Sequence, residues 1–519
     1  MKPLLNLGEI VAAHARLQPQ RIGVRDSRRA LTFAQWNARA CRLANALLGL
    51  GLKPGERVAV LAYNRLEWME IYIGIAKAGL VAVPINFRLV APEVKYIATH
   101  CEAKALIVQD ELAPVVEGLR GELPIAGNAW IRIGASTPAG WTSYEALIAG
   151  ASDREPDLPV RPTDTWALMY TSGTTGKPKG AIRNHEGLAV MALVTALDMA
   201  LARDNTALLV MPMCHANSLN FACAFAYLGA TIVIDDRKSF DPEALLATMA
   251  AQRVTFTSLV PTHYIMTLGL SHQVKQKYDV SRVAKLMVSS APARKDTKLA
   301  ILEHFSNSQL YELYGSTEAG WVTLLRPDEQ IEHLGSVGRE WTGSAPVRLL
   351  DPEGREVPDG DVGELFSCTP YTFDGYLNDP VKTAEALRGD GYCSVGDMAR
   401  RDEHGFIHLV DRKSNMIISG GENVYPSEIE SILGRYPGVK DVAVIGVPHE
   451  KWGEAVHAVL VMHEGVATVE SDVLTWCRDQ MAGYKRPRSV AFIAEAEMPR
   501  TATGKILHRV LRERFGTSR

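Results

Sequence analysis

The chain has 519 residues, enough at roughly 150 per domain for about three domain-sized units. Apolar residues make up 47% and charged residues 22%, an ordinary globular composition rather than a disordered one. The 56 Lys and Arg against 59 Asp and Glu leave a net charge of −3, which argues against a dedicated nucleic-acid binder.

In chain order, the N-terminal stretch carries Glu9 and His14 among its apolar residues, which is not the pattern of a secretory signal. Residues 57–64 predict a buried strand, 67–78 a helix and 81–86 a second strand. Residues 206–235 repeat that plan, and the Ala78-Gly79 and Leu228-Gly229 turns fall at matching offsets. Two βαβ units explain the repeat, and such crossovers give parallel sheets covered by helices. The longest apolar run, 221–234, stops at Asp235-Asp236, short of the ~20 residues a helical span needs, so no transmembrane segment is expected.

From about residue 340 the texture changes. Residues 346–351, 363–368 and 406–410 predict short strands separated by turns, a small β-rich subdomain. A charged stretch at 411–415 leads to Gly420-Gly421. Residues 426–433 predict a helix with Pro in its first turn. Strands at 443–447, 455–462 and 489–493 follow, with a helix near 470–481. The expected fold class is α/β. A large N-terminal domain, 1–411, holds two βαβ-layered subdomains and the β-rich one, and a small mobile α+β lid spans 412–519. The seven cysteines are odd in number and scattered, with no CxxC, so free thiols in a reducing, cytoplasmic compartment are expected.

Residues 168–171 end an apolar strand and run into Tyr170-Thr-Ser-Gly-Thr-Thr-Gly-Lys-Pro-Lys-Gly180. Small residues let the backbone turn tightly, so that successive N–H groups point at an anion. Thr171, Ser172, Thr174 and Thr175 add hydroxyls, and Lys177 and Lys179 add charge. The chemistry this suits is polyphosphate binding. It is not a Walker loop, because Gly173 stands too close to Gly176 and Pro178 follows Lys177.

This stretch resembles the signature of the adenylate-forming superfamily, which holds acyl- and aryl-CoA synthetases, firefly luciferase and peptide-synthetase adenylation domains. Further motifs of that superfamily follow in order. They are Met211-Pro-Met-Cys-His215, Ser289-Ser-Ala-Pro292, Tyr314-Gly-Ser-Thr-Glu318, Gly335-Ser-Val-Gly338, Gly363-Glu364, Gly396-Asp397, Asp411-Arg412, Gly420-Gly-Glu-Asn-Val-Tyr-Pro426 and Pro499-Arg-Thr-Ala-Thr-Gly-Lys505. One such motif is weak; the ordered series across residues 170–505 is strong. Within the superfamily the chain looks most like a fatty-acyl-CoA ligase.

The resemblance implies a two-step ligase. A carboxylate attacks the α-phosphorus of ATP, giving an acyl-adenylate and pyrophosphate, and the thiol of coenzyme A then displaces AMP. Both first-step reactants are anions, so fixed cations and donors must offset their repulsion. The implied cofactors are ATP, Mg²⁺ and coenzyme A. The implied partners are a small-molecule carboxylic acid and coenzyme A, with no nucleic acid and with a homodimer left open. Carried over by motif, Thr171, Ser172, Gly173, Thr174, Thr175, Gly176 and Lys179 cradle the phosphates. Glu318 and Thr171 hold the metal, and Thr317 donates to the α-phosphate. Ser290, Ala291 and Pro292 sandwich adenine with Tyr311, Glu312, Tyr314, Gly315 and Ser316. Asp397 accepts the ribose hydroxyls, and Arg412 reaches the ribose or phosphates. Gly420, Gly421 and Glu422 serve coenzyme A. Lys505 bridges the carboxylate and the α-phosphate, and His215 gates the acid, so Lys505, His215, Thr171 and Glu318 form the catalytic set.

Two departures stand out. Ser289-Ser290 replaces a pair that is often Gly-Gly, and Ser414 replaces a charged hinge residue. None of the fourteen histidines forms an HExxH or a Cys/His cluster, and His404 and His408 flank Gly405 in what reads as a hairpin, so no structural zinc is expected. Asn217–Asn220 offers no acid to pair a substrate amino group, against a peptide-synthetase domain; a luciferase-type oxygenase shares every motif. Leu313 stands where malonate-type ligases carry a basic residue, which disfavours a short dicarboxylic acid. The apolar lining favours a medium- or long-chain fatty acid. The alternatives are an aryl acid of the benzoate or cinnamate type, or acyl transfer to an acyl-carrier protein.

Overall fold

The computed structural model describes residues 3–171, 177–291, 293–419, 422–501 and 504–516. Both βαβ units form where the apolar pattern places them. Strands Arg57–Leu61 and Val81–Ile85 pair in parallel around helix Glu67–Lys77. Strands Thr206–Leu209 and Thr231–Ile234 do the same around Ala216–Leu228. Each crossover helix gives way to a glycine in the left-handed region, Gly79 at φ +63° and Gly229 at φ +67°. At that positive φ a Cβ on Gly229 would also press on the Gln18 and His14 side chains, so the turn favours glycine.

The chain divides into two compact units, one taking most of residues 1–347 with 367–393, the other 348–366 and the residues from 394 on. The boundary expected at 411/412 lies inside the second unit. Among the described residues the first unit holds a nine-stranded and a seven-stranded sheet. In the larger, Gln309–Ser316, Lys285–Ser289, Phe256–Leu259, Thr206–Leu209, Thr231–Ile234 and Ile22–Arg25 lie side by side and parallel, with antiparallel strands at both edges. In the smaller, parallel strands run from Thr142–Ser143 to Thr165–Thr171, and Lys179–Asn184 closes the edge antiparallel.

Helix Ala216–Leu228 has two buried faces. Phe221 and Phe225 meet Phe256 at ring-centroid distances of 4.8 and 5.1 Å, and Phe221 meets Trp321 at 5.3 Å. The other face, with Leu219 and Cys223, borders Leu7, Ile10, Tyr72 and Trp166 around an apolar cavity of about 10 Å³. That is space for one water-sized sphere.

The second unit holds an antiparallel sheet of Arg348–Leu350, Val362–Phe366, Asp397–Arg401 and Ile407–Arg412. A second sheet joins Glu422–Val424, Ile417–Ser419, Gly453–Met462 and Val439–His449, with Ser489–Phe492 added in parallel. Arg512, from helix His508–Gly516, donates to the Ser414 carbonyl at 2.6 Å and to Asn415 Oδ1 at 3.2 Å. Ser414 is therefore tied through its main chain. All seven cysteines are free, and all but Cys368 are buried. No helix among the described residues is long and apolar enough to cross a membrane.

One buried ion pair fixes the strand that leads into the Tyr314–Glu318 motif. Lys298, on helix Lys295–His304, meets Glu312 on Gln309–Ser316, and the two residues are 0% and 3% exposed. Removing one partner leaves a buried charge without its counterion. Lys298→Met should destabilise the first unit by about 3–5 kcal/mol. Lys298→Met with Glu312→Leu should recover most of the loss, as read from denaturant midpoints.

Candidate active site

The strand pair Thr165–Thr171 and Lys179–Asn184 sets Thr171 opposite Lys179. The phosphate-loop residues between them, Ser172, Gly173, Thr174, Thr175 and Gly176, lie outside the described residues. Thr171 Oγ1 donates to Glu318 Oε1 at 3.3 Å. Glu318 is 7% exposed and follows a tight turn. A Cβ on Gly315 would come within 2.2 Å of the Gly320 carbonyl oxygen, so the turn itself demands that glycine. Ser316 Oγ accepts from the Ala319 N–H at 2.9 Å and closes the turn from inside.

Two residues that sequence reasoning missed complete this group. Tyr376 OH donates to the same Glu318 Oε1 at 2.8 Å, and the Lys179 ammonium sits 4.1 Å from the centre of the Tyr376 ring. Arg183 is 4% exposed, and its Nη1 donates to the carbonyls of Thr317 at 2.8 Å and Glu318 at 3.3 Å. Burial pulls its guanidinium down to about 10, with Asp374 and Glu318 acting the other way, so it stays charged at neutral pH. No local pattern marks either residue, since a lone Arg in a strand and a Tyr after a turn have no spacing signal. Glu318 and Thr171 together present hard oxygen donors, the set that suits Mg²⁺.

The expected adenine segments are brought together only in part. Ser289 ends its strand opposite Leu313, and Ser290 and Ala291 follow, both exposed. Pro292 lies outside the described residues. Tyr314, Ser316 and Thr317 are half-buried and Gly315 is exposed. Tyr311 and Glu312 instead turn inward. Tyr311 is buried in the core, and Glu312 is spent on Lys298. Strand alternation explains the difference, because neighbours on Gln309–Ser316 face opposite sides of a sheet covered on both. His215 precedes helix Ala216–Leu228, with Nε2 3.4 Å from Asn86 Nδ2.

In the second unit, Asp397 and Arg412 are opposite in register and pair at 2.5 Å. Arg412 also donates to the Val395 carbonyl at 3.1 Å. Lys505 lies in a turn closed by Thr501 N–H donating to the Lys505 carbonyl at 2.7 Å. Lys505 is exposed as a residue, while its ammonium end is crowded. Desolvation there, then repulsion from Arg412, push it below the ordinary lysine range, and Asp397 opposes the shift. Gly420 and Gly421 lie outside the described residues; Glu422 is exposed and pairs in register with Ser419.

A phosphate-loop signature ahead of a hard-cation pair, on doubly wound sheets with an Asp–Arg–Lys cluster in a separate unit, defines an adenylate-forming enzyme. The chain belongs to the AMP-binding enzyme family, which matches residues 11–377, and the AMP-binding enzyme C-terminal domain matches 428–505. It is 38% identical over 512 residues to a feruloyl-CoA synthase of Amycolatopsis sp, covering 98% of this chain and 99% of the relative. It is 35% identical over 493 residues to a long-chain-fatty-acid–CoA ligase of Mycobacterium tuberculosis, covering 94% of each. An ATP-bound crystal structure of MatB from Rhodopseudomonas palustris superposes with a TM-score of 0.87 at 31% identity, covering 99% of both chains. The chain is an AMP-forming acid–thiol ligase that uses ATP and coenzyme A, and Mg²⁺ is typical of its family.

Ser290 holds a backbone conformation that glycine adopts at lower cost. It sits at φ +68°, in the left-handed region that costs an ordinary residue about 1–2 kcal/mol. Ser290→Gly should raise the stability of the first unit by roughly 0.5–1 kcal/mol, after the greater freedom of glycine in the unfolded chain is subtracted. Thermal unfolding with and without ATP would check this, and an unchanged midpoint would refute it.

Proposed function

We propose that the chain joins an aromatic carboxylic acid to coenzyme A through an acyl-adenylate. The observation that carries this reading is the aromatic block along helix Ala216–Leu228. In open α/β sheets, ligands bind beyond the carboxyl ends of the parallel strands. His215 and the first turn of the helix lie at that end of Thr206–Leu209. One helical turn further in, Phe221, Phe256 and Trp321 interlock, all buried. The cavity on the opposite face, at about 10 Å³, is far too small for an acyl chain. A flat ring can lie against such a wall, and that cavity has no room for an extended chain. This supports an aromatic acid ahead of the fatty acid that the apolar sequence pattern favours. The similarity to a feruloyl-CoA synthase supports the same order, and the similarity to a long-chain ligase keeps a fatty acid second. Leu313 shares the core cluster of Phe221 and Trp321, so a second carboxylate there would lack a partner, at a cost of several kcal/mol.

In the proposed reaction Glu318 and Thr171 hold Mg²⁺, which supplies charge screening between the phosphates. The loop 172–176 and Lys179 cradle the triphosphate, and Thr317 donates to the α-phosphate. Ser290, Ala291 and Tyr314 flank adenine. Asp397 accepts the ribose hydroxyls, releasing part of its hold on Arg412. Lys505 brings its ammonium to the carboxylate and α-phosphate, where it offsets anion repulsion as the bond forms. Gly420, Gly421 and Glu422 then serve the pantetheine arm. Residues 412–519 act as the lid and turn at Ser414 between the half-reactions. The free thiols fit a cytoplasmic setting.

The lysine carries a pH signature. Its ammonium is displaced below the ordinary value, and the charged form is the active one. Adenylation should therefore fall with rising pH earlier than a free lysine of ~10.4 would allow. Thioester formation from supplied acyl-adenylate should lack that limb. Lys505→Ala should remove the limb and cost roughly 10²–10³-fold in adenylation.

The substrate is tested by pyrophosphate release, with and without coenzyme A, from ferulate, cinnamate, octanoate, palmitate and malonate at equal concentration. Ferulate or cinnamate should be fastest, and thioester should appear with coenzyme A rather than with an acyl-carrier protein. Palmitate or octanoate as the best substrate would overturn the aromatic reading.

A further inference from the structure

Three small polar side chains meet just above the aromatic block. Asn217 lies in the first turn of Ala216–Leu228, four residues before Phe221 and so on the same helix face. Ser258 lies near the carboxyl end of Phe256–Leu259, and Ser289 ends Lys285–Ser289, the next strand. Asn217 Nδ2 donates to Ser258 Oγ at 3.2 Å and to Ser289 Oγ at 2.8 Å, and the two hydroxyls are 3.1 Å apart. Ser258 and Ser289 are 3% and 2% exposed, while Asn217 is half-buried.

Counting protons shows what the cluster leaves over. Both amide hydrogens of Asn217 are spent on the serines, and one serine proton bridges to the other serine. One hydroxyl proton and the Asn217 Oδ1 acceptor remain uncommitted among the described residues. A spare donor beside a spare acceptor matches one hydroxyl group, which both donates and accepts. Ser289 is opposite Leu313 in register, one residue before Tyr314, so the cluster adjoins the nucleotide segment on one side and the aromatic wall on the other. A purely apolar ring set there would leave these polar atoms dry and unpaired, a cost on the order of 1–3 kcal/mol.

We infer that Asn217, Ser258 and Ser289 form a subsite for a ring hydroxyl, so that the preferred acid is a hydroxylated aromatic acid. The inference rests on the aromatic-acid reading above. Asn217 Oδ1 and one serine hydroxyl meet the ring hydroxyl, and the serine pair holds the Asn217 amide in orientation.

The test compares kcat/KM for 4-hydroxycinnamate and cinnamate, acids that differ in one hydroxyl. The wild-type chain should favour the hydroxylated acid by about tenfold or more, since a site built to bond a hydroxyl rejects the analogue lacking it. Asn217→Leu should bring the ratio close to one by slowing 4-hydroxycinnamate, with cinnamate changed by no more than about threefold. Ser289→Ala should reduce the ratio partway, and it stands in if Asn217→Leu does not fold. The ratio is insensitive to the fraction of folded enzyme, so a merely structural role would leave it unmoved. A wild-type ratio near one, or equal losses for both acids in the variants, would overturn the subsite and leave the aromatic reading intact. Turnover of octanoate with neither cinnamate would sink both.

Discussion

Arg183 places a buried guanidinium beneath the turn that carries Glu318, and among the described residues it has no carboxylate within ion-pair distance. Its Nη1 is spent instead on two consecutive main-chain carbonyls, those of Thr317 and Glu318. A charge held in this way is expensive to bury, and the downward pull on its guanidinium records that expense. The arrangement lasts only if the surrounding strands over-determine it. Lys179–Asn184 supplies Arg183, Gln309–Ser316 delivers the turn, and the 369–376 segment adds Phe373 N–H to the Glu318 carbonyl at 2.8 Å. With the backbone clamped, Glu318 Oε1 meets Thr171 and Tyr376 from two directions. The position of the Glu318 carboxylate is thus built from below, by main-chain carbonyls pinned in place, as much as by its own side-chain bonds.

The parts of the fold legible in sequence are those where one residue type has one physical use. The paired βαβ units were readable because apolar strands, crossover helices and left-handed glycines recur at the same offsets, and Gly79 and Gly229 hold that conformation. Pro426 opened its helix for the same kind of reason. In the candidate site, sequence motifs marked positions that the fold sets at strand ends or the turn beside them, as with Thr171, Glu318, Asp397 and Arg412, whose roles are proposals. The site was not legible where burial decides. Tyr311 and Glu312 belong to a good nucleotide motif, yet the pleat sends them inward, Glu312 to Lys298 across a gap in sequence that no local pattern spans. Arg183 and Tyr376 were invisible because their partners are backbone atoms or distant side chains.

The two serines at 289 and 290 show one departure resolved in two ways. Ser289 uses its hydroxyl, buried and bonded to Asn217 and Ser258. Ser290 holds a backbone conformation that glycine would adopt without strain. Adjacent serines therefore make a polar contact at one position and hold strain at the next. Such strain persists at sites where the neighbouring structure leaves the backbone no choice. Ser414, the other departure, is fastened by Arg512 through its carbonyl, a contact that any residue at 414 could make.

The burial of the cysteines has a consequence for the company this enzyme keeps. Desolvation pushes the thiols of Cys41, Cys101, Cys214, Cys223 and Cys393 up to about 12, and that of Cys477 upward as well. Thiolate, not thiol, attacks disulfides, so these groups are almost wholly in the inert form at neutral pH and are screened from collision besides. The second half-reaction brings a reactive free thiol, that of coenzyme A, into the protein at every turnover. A chain with accessible, acidic cysteines would be captured as mixed disulfides whenever its cosubstrate became oxidised. Here the redox state of the coenzyme pool can change while the protein's own sulfur atoms stay out of the exchange, with Cys368 alone less than fully buried.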